Sequence, residues 1–218
     1  TVLWYKHPDT ETMLMLGDQF QRTFSRLHVY CKSSGTRQAA WLASAVKAML
    51  LLGHPTKWGY FLTRRRTAPK HVATDLRRFL RALPAKRVSL ISQSAGGIVS
   101  SLVEDEPKVR GLVCLGYPFK HPTKGWAPYR TEHLPHLKKP LMIIQGVSDE
   151  YGAYQDCFAY PLSPTVRLES VSSGHDYDNL TPADFGKVMA LISDFLARPP
   201  NRIAANAVSF DGVGYPSL

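Results

Sequence analysis

One stretch near the middle of the chain constrains the fold more than any other, and its sequence is Val88-Ser89-Leu90-Ile91-Ser92-Gln93-Ser94-Ala95-Gly96-Gly97-Ile98-Val99. β-prone residues lead into a turn of small residues, and an apolar helical pattern follows, so the stretch predicts a strand, a sharp turn and a helix. Ser94 stands at the apex of the turn. Because only small neighbours let the helix pass close to the strand, the pattern is typical of the G-x-S-x-G turn that exposes a nucleophilic serine above a sheet.

Ser92 replaces the first glycine of that motif, and serine is the next smallest residue that keeps the turn feasible. The same glycine-rich turn has two other interpretations: it could bind phosphate, or it could only turn the chain. Phosphate binding is disfavoured because the turn lacks the lysine and the spacing of a P-loop.

The length of 218 residues predicts one sizeable core, which we expect to form a single domain over residues 1–198 with a C-terminal tail at 199–218. Hydrophobic residues make up 44% of the chain, and no apolar run reaches the roughly 18 residues that would span a bilayer. No signal peptide is visible. These features predict a globular, cytoplasmic protein with no membrane span.

The chain contains three cysteines, Cys31, Cys114 and Cys157. They are too few and too scattered for a disulfide framework or a metal cluster, and in apolar runs a free cysteine behaves as a small buried hydrophobe. The net charge of +10 would attract an anionic partner. The densest basic run, Arg64-Arg65-Arg66, is more typical of a solvated loop than of a nucleic-acid site, because no aromatic stacking pattern accompanies it.

Apolar runs of strand length alternate with helical patterns along the chain. The predicted strands are Val2–Tyr5, Met13–Leu16, Leu27–Cys31, Trp58–Leu62, the run before Ser94, Val109–Leu115, Leu141–Gln145 and Thr165–Val171. The predicted helices are Gln38–Leu52, Val72–Leu83, the segment after Ser94, Tyr154–Ala159 and Phe185–Leu196. The segment 117–139 contains several prolines, and we interpret it as a short cap.

Strands that alternate with helices predict an α/β fold with a mainly parallel sheet and helices on both faces. The turn signal Pro8-Asp9 predicts that the first two strands pair antiparallel at the N-terminal edge of the sheet. In such sheets the functional site forms at the carboxyl ends of the strands.

An alcohol nucleophile needs a base that takes its proton, and the base needs a carboxylate that fixes its tautomer. Asp149 lies just past the strand at 141–145, and His175 lies just past the strand at 165–171. Parallel strands would bring both residues to Ser94, and the chain order Ser, Asp, His is one of the established orders of a catalytic triad. We therefore predict that Ser94 is the nucleophile, that Asp149 is the acid that orients the base, and that His175 is the general base.

Other residues could fill two of these roles. Glu150 or Asp156 could supply the acid, since an aspartate in a loop, such as Asp149, is often only a turn-capping residue. His175 could be an ordinary surface histidine. Its rivals lie upstream of the acid in the predicted cap, where the connectivity disfavours them: His121, His133 and His136.

Acyl transfer also needs N–H donors aimed at the developing oxyanion. The backbone N–H of Ala95, directly after the nucleophile, is one expected donor. The second is expected from the loop Lys32-Ser33-Ser34-Gly35, in which Ser34 is favoured over Ser33 because it directly precedes the glycine.

Three groups of residues form a recognisable set: Ser92-Gln93-Ser94-Ala95-Gly96-Gly97, then Leu115-Gly116-Tyr117-Pro118 with Arg130-Thr131-Glu132-His133-Leu134, and Gln145-Gly146-Val147-Ser148-Asp149. From about Leu27 to Leu196 the chain resembles small α/β-hydrolases of the dienelactone-hydrolase-like type, in the branch of the testis-expressed and NSL-complex hydrolase-like proteins. Members carry His-Gly-x-Gly in place of the Lys32–Gly35 loop, and glycine in place of Ser92. The resemblance implies an α/β-hydrolase fold.

Together these features predict a serine hydrolase that cleaves an ester or related acyl bond through an acyl-enzyme on Ser94, with no metal ion and no organic cofactor. The expected partner is a small-molecule ester, and the net positive charge of the protein would favour an anionic one. No nucleic-acid partner is expected, and the sequence indicates no oligomeric state. The alternative is a non-catalytic interaction protein that retains the fold, which the altered Lys32–Gly35 loop and the basic surface would suit.

Overall fold

The computed structural model describes residues 2–5, 27–30, 68–178 and 180–198. Its elements, in chain order, are β1 (Val2–Tyr5), β2 (Leu27–Tyr30), α1 (Ala68–Ala82), β3 (Val88–Gln93), α2 (Ala95–Ser101), β4 (Val109–Leu115), β5 (Lys120–His121), β6 (Gly125–Trp126), α3 (Pro128–Thr131), β7 (Leu141–Gly146), β8 (Val166–Val171) and α4 (Pro182–Ala197). Short 3-10 helices span Leu134–His136 and Tyr154–Ala159. The predicted elements Met13–Leu16, Gln38–Leu52 and Trp58–Leu62 and the tail lie outside the described residues.

The described strands form a 6-stranded sheet in the order β2-β1-β3-β4-β7-β8, in which every pair of neighbours is parallel. β5 and β6 form a separate antiparallel ribbon. The predicted antiparallel edge is wrong for Val2–Tyr5, because β1 lies between β2 and β3 and pairs in parallel with both over its whole length. A turn signal such as Pro8-Asp9 indicates a change of chain direction, but it does not indicate which distant strand will lie beside β1.

Side chains of the central strands alternate between two apolar layers, as the two-residue period of a strand requires. One layer packs with α1 and α2 and contains Leu90, Leu112, Cys114, Leu141 and Ile143. The other packs with α4 and contains Ile91, Val113, Leu115, Met142 and Ile144. Helices therefore cover both faces of the sheet, which explains why successive residues of these strands are apolar in Leu90-Ile91, Leu112–Leu115 and Leu141–Ile144.

The helix boundaries differ from the predicted ones mainly at their N-terminal ends. Helix α1 begins at Ala68, earlier than the predicted Val72. Helix α4 also begins earlier than predicted, because Thr181 caps it: its Oγ1 accepts the N–H of Asp184 at 3.1 Å. None of the helices in the described ranges has the length and apolarity needed to cross a membrane.

The segment that joins β4 to β7 returns along α2 in its second half. His133 Nε2 lies 2.7 Å from the hydroxyl of Ser101, the last residue of α2. Leu134 and Leu137 are buried in the layer that packs with α1 and α2. This return is required because β7 runs parallel to β4, so the chain must go back from the carboxyl end of β4 to the amino end of the sheet before β7 begins. For the first half of the segment, the short cap stays a prediction.

Candidate functional site

The turn between β3 and α2 holds Ser94 at φ 51° and ψ −126°, in a region of backbone space that residues with a side chain rarely occupy. The Ser94 N–H donates to the Leu115 carbonyl at 3.0 Å, and the Ser94 carbonyl accepts the Gly97 N–H at 2.8 Å. Only glycine fits at position 97, since a Cβ there would overlap Cys114 Sγ and lie 2.9 Å from Cδ2 of Tyr117. The small residues of the turn therefore let α2 pass close to β4.

Ser92, which replaces the motif glycine, is fully buried and hydrogen-bonded. Its Oγ lies 3.0 Å from the hydroxyl of Ser100 in α2 and donates to the Val113 carbonyl in β4 at 3.1 Å. The hydroxyl therefore links three elements beneath the turn. From the sequence alone, only the small size of this serine explains its place, because its hydrogen-bond partners belong to other elements.

Three side chains from the carboxyl ends of β3, β7 and β8 form a continuous chain of hydrogen bonds. Ser94 Oγ lies 2.7 Å from His175 Nε2, and His175 Nδ1 lies 3.0 Å from each carboxylate oxygen of Asp149. Asp149 is 2% exposed and His175 is 7% exposed, whereas Ser94 is half-buried. When His175 donates its Nδ1–H to the carboxylate, Nε2 is free to accept the serine proton.

Backbone contacts hold together the loops that follow β7 and β8. The Ser148 N–H donates to the Ser173 carbonyl at 3.2 Å. Gly146 allows this approach, since a Cβ at that position would overlap the same carbonyl oxygen. The two loops that carry Asp149 and His175 therefore meet directly.

Two residues that the sequence analysis did not assign to the site hold the Asp149 carboxylate. Gln145 Nε2 donates to Oδ2 at 2.9 Å, and the Tyr151 backbone N–H donates to Oδ1 at 2.8 Å. Both flank the acid closely in the chain, and this proximity is the only sequence signal that could have identified them. The Tyr151 ring also packs on the imidazole of His175.

Gly116 and Tyr177 line the other side of the acid and the base. Gly116 follows β4 with φ +60°, and a Cβ there would lie 3.3 Å from Asp149 Oδ2 and 3.4 Å from His175 Nδ1. The Tyr177 hydroxyl is fully buried and donates to the Ile144 carbonyl, and burial raises its pKa well above the ordinary value. Tyr177 therefore stays protonated and acts here as a hydrogen-bond donor.

The two rival acids are not the carboxylate partner that His175 has in the described residues. Glu150 is exposed. Asp156 forms an ion pair with Lys120 at 2.6 Å, and this ammonium group holds the pKa of the Asp156 carboxyl below its ordinary value. Among the three candidates, Asp149 is the one that is hydrogen-bonded to His175.

The rival histidines have other partners or lie at the surface. His133 forms a second Ser–His contact with Ser101, but Ser101 is only 1% exposed and offers no access to a substrate. Burial lowers the pKa of His133 to about 4. His121 packs edge-on against the ring of Tyr151, with the centroids 5.9 Å apart, and His136 is exposed.

Of the predicted oxyanion donors, Ala95 lies within the described residues. As the first residue of α2 it has no acceptor for its N–H within the helix, and it is exposed. Ser33 and Ser34 lie outside the described residues, so the second donor stays a prediction.

Comparison with known families agrees with this fold. The family model described as "Alpha/beta hydrolase domain" matches residues 60–192, more than half of the chain. The chain therefore belongs to the alpha/beta hydrolase family, and the predicted fold class is confirmed.

Solved structures of several hydrolases are similar to this chain. A predicted CIB-like hydrolase from Thermoplasma acidophilum has 18% identity and a TM-score of 0.56, over 89% of this chain and 84% of that one. A hydrolase from Oleispira antarctica has 14% identity and a TM-score of 0.61, over 89% of each chain. An esterase from Pyrococcus furiosus has 13% identity and a TM-score of 0.58, over 91% of this chain and 81% of that one. At these identities the similarity shows the shared fold.

Proposed function

We propose that this protein is a serine hydrolase that cleaves a small-molecule carboxylic ester, or a related acyl bond, through an acyl-enzyme on Ser94. The observation that carries the proposal is the continuous hydrogen-bonded chain from Ser94 through His175 to Asp149. Membership of the alpha/beta hydrolase family supports it. The motifs around Ser94, Tyr117 and Asp149 support the further proposal that the chain belongs to the dienelactone-hydrolase-like branch.

Acylation begins when Ser94 Oγ attacks the acyl carbon and His175 Nε2 takes the hydroxyl proton. The carbonyl electron pair moves onto oxygen, and the oxyanion accepts the Ala95 N–H and a second N–H, proposed at Ser34. When the intermediate collapses, the ester C–O bond breaks and the leaving oxygen takes the proton from Nε2. The alcohol departs, and the acyl group remains on Ser94.

Deacylation repeats these steps with water as the nucleophile. Water attacks the acyl carbon and gives one proton to His175 Nε2, and collapse breaks the bond to Ser94 Oγ, which takes that proton back. The sum is ester plus water giving acid plus alcohol. Asp149 accepts the Nδ1–H in both halves and stabilises the imidazolium form.

The test combines a fluorophosphonate probe with hydrolysis of p-nitrophenyl acetate. We expect the unsubstituted protein to react with the probe, peptide mass spectrometry to locate the adduct on Ser94, and Ser94→Ala to abolish both signals. Ser101→Ala is the matched control because it removes the other Ser–His contact, and it should still be labelled. If the folded, unsubstituted protein neither reacts with the probe nor hydrolyses the ester, the proposal is wrong and a non-catalytic interaction protein becomes the better interpretation.

A further inference from the structure

We infer that Gln145 is a positioning residue for the acid: its side-chain amide fixes the Asp149 carboxylate in the orientation that presents both oxygens to His175 Nδ1. The inference rests on the proposed function, because it assigns Asp149 the role of acid. The hydrogen bond between His175 and Asp149, which this orientation determines, can be measured without any substrate.

The amide of Gln145 is fully buried, and both of its polar atoms are bonded. Oε1 accepts the Tyr117 N–H at 2.9 Å. Nε2 donates to Asp149 Oδ2 at 2.9 Å and to the Gly152 carbonyl at 2.7 Å, and it also lies 3.2 Å from the Tyr117 carbonyl. One side chain therefore links Tyr117, in the segment that follows β4, to Asp149 and Gly152, the first and last residues of the loop 149–152.

These contacts require an amide at position 145. A carboxyl of the same shape would, when ionised, place an acceptor against the oxygens of Asp149, Gly152 and Tyr117. An apolar side chain would leave the buried Tyr117 N–H without its acceptor and would remove the Gln145 donor from Asp149 Oδ2.

The loss of the amide should act on the base through the acid. Asp149 Oδ2 would lose the Gln145 donor, while Oδ1 would keep the Tyr151 N–H. The carboxylate could then rotate away from the position in which both oxygens lie 3.0 Å from His175 Nδ1. Proton transfer at Nε2 would slow, whereas the amide is too deeply buried to contact a substrate.

The experiment compares Gln145→Leu, Gln145→Glu and the control Gln155→Glu, which makes the same chemical change at an exposed position of the 3-10 helix after the loop. We expect Gln145→Leu to lower kcat for p-nitrophenyl acetate about 10- to 100-fold, the range that outer hydrogen-bond partners of metal ligands show, with KM within about twofold. Gln155→Glu should match the unsubstituted protein. Thermal melts establish that each variant is folded.

The pH dependence of Gln145→Glu adds a signature that a merely structural role would not produce. The protonated carboxyl can donate to Asp149, and the ionised one repels it, so kcat relative to the unsubstituted protein should fall as pH rises and the introduced carboxyl ionises. The other titratable neighbours of this pocket are His175, Tyr117, Tyr177 and Cys157. Burial raises the pKa of Cys157 to about 12 and raises those of both tyrosines, so these groups do not titrate in that range.

A spectroscopic measurement separates this inference from the proposed function. The proton between His175 Nδ1 and Asp149 should give a low-field NMR resonance in the unsubstituted protein and in Gln155→Glu, and Gln145→Leu should broaden it or remove it. Retention of that resonance together with full kcat in folded Gln145→Leu would overturn the inference. If the unsubstituted protein hydrolyses no ester, the proposed function fails, and the resonance alone then decides the role of Gln145.

Discussion

The aromatic ring of Tyr151 covers one face of the His175 imidazole, with the ring centroids 4.2 Å apart and the planes inclined at 34°. The same residue donates its backbone N–H to Asp149 Oδ1 at 2.8 Å. Tyr151 therefore contacts both the acid and the base, one through its backbone and the other through its side chain. Mutation of the side chain can separate these two contacts.

Tyr151→Ala should lower kcat by about tenfold and change KM little, because the imidazole loses the surface that limits its rotation while the N–H to Asp149 remains. Tyr151→Phe keeps the ring and should retain activity. Steady-state kinetics of the two variants provide the measurement. Equal kcat values for Tyr151→Ala and Tyr151→Phe would show that the stacked ring does not position the base.

Asp149→Asn should lower kcat on the order of a thousandfold, with a smaller change in KM, because the amide favours the wrong tautomer of His175 and no longer stabilises the imidazolium. Glu150→Gln and Asp156→Asn are the controls, and each should retain kcat within about twofold. The acid is wrongly assigned if Asp149→Asn stays active while one of the controls is inactive.

Much of the site could be predicted because the carboxyl ends of parallel strands lie on the same side of a sheet. Ser94 directly follows β3, and Asp149 and His175 lie in the loops that follow β7 and β8, so a parallel topology predicts the contacts among them. The roles of Gln145 and Tyr151 depend on how the loop after β7 folds back towards β4. Such a path depends on contacts between distant parts of the chain, which local sequence patterns do not record.

In the fold, too, the bounds of a strand can be predicted from its own sequence, whereas its neighbours in the sheet cannot. Strand β4 begins and ends at the predicted residues, Val109 and Leu115, and burial on both faces explains its apolar run Leu112–Leu115. The neighbours of β1 could not be predicted, since both strands that flank Val2–Tyr5 come from later parts of the chain.

Ser94→Ala and His175→Ala should each lower kcat about as much as Asp149→Asn, and the double variant should be little worse than either single one. The reason is that the base has no role in the first step without the nucleophile, so the two losses are not additive. Kinetics of the two single variants and the double variant check this expectation. A double variant that loses the product of the single effects would show that the residues act independently.

Gly146→Ala should destabilise the protein by about 1–3 kcal/mol, because the new Cβ would overlap the Ser173 carbonyl and force the two loops apart. Gly174→Ala is a matched control in the facing loop, where a Cβ meets nothing within 4 Å. Urea denaturation of both variants gives the comparison. Equal midpoints for the two variants would contradict the close contact between the loops.

The stability of the protein should fall as pH is lowered from about 6.5 to about 4, and His133 should cause part of this loss. Burial lowers the pKa of His133 in the folded state to about 4 from an ordinary value of 6.5, so in this window the unfolded chain binds a proton that the folded protein does not. We expect a contribution on the order of 3 kcal/mol, complete below about pH 4 and absent above about pH 7. His133→Gln should flatten the pH dependence of the urea midpoint, and an unchanged slope would contradict this role.

Because Gly97 of α2 packs against Cys114 of β4, the reactivity of the buried Cys114 thiol reports the separation of these two elements beneath Ser94. Cys114 is 0% exposed, and burial raises its pKa to about 12, so an alkylating reagent meets neither an open path nor a thiolate in the native state. Alkylation must wait until α2 separates from β4. The rate at which Cys114 is alkylated therefore measures how often α2 separates from β4. A ligand that holds Ser94 in place should lower this rate.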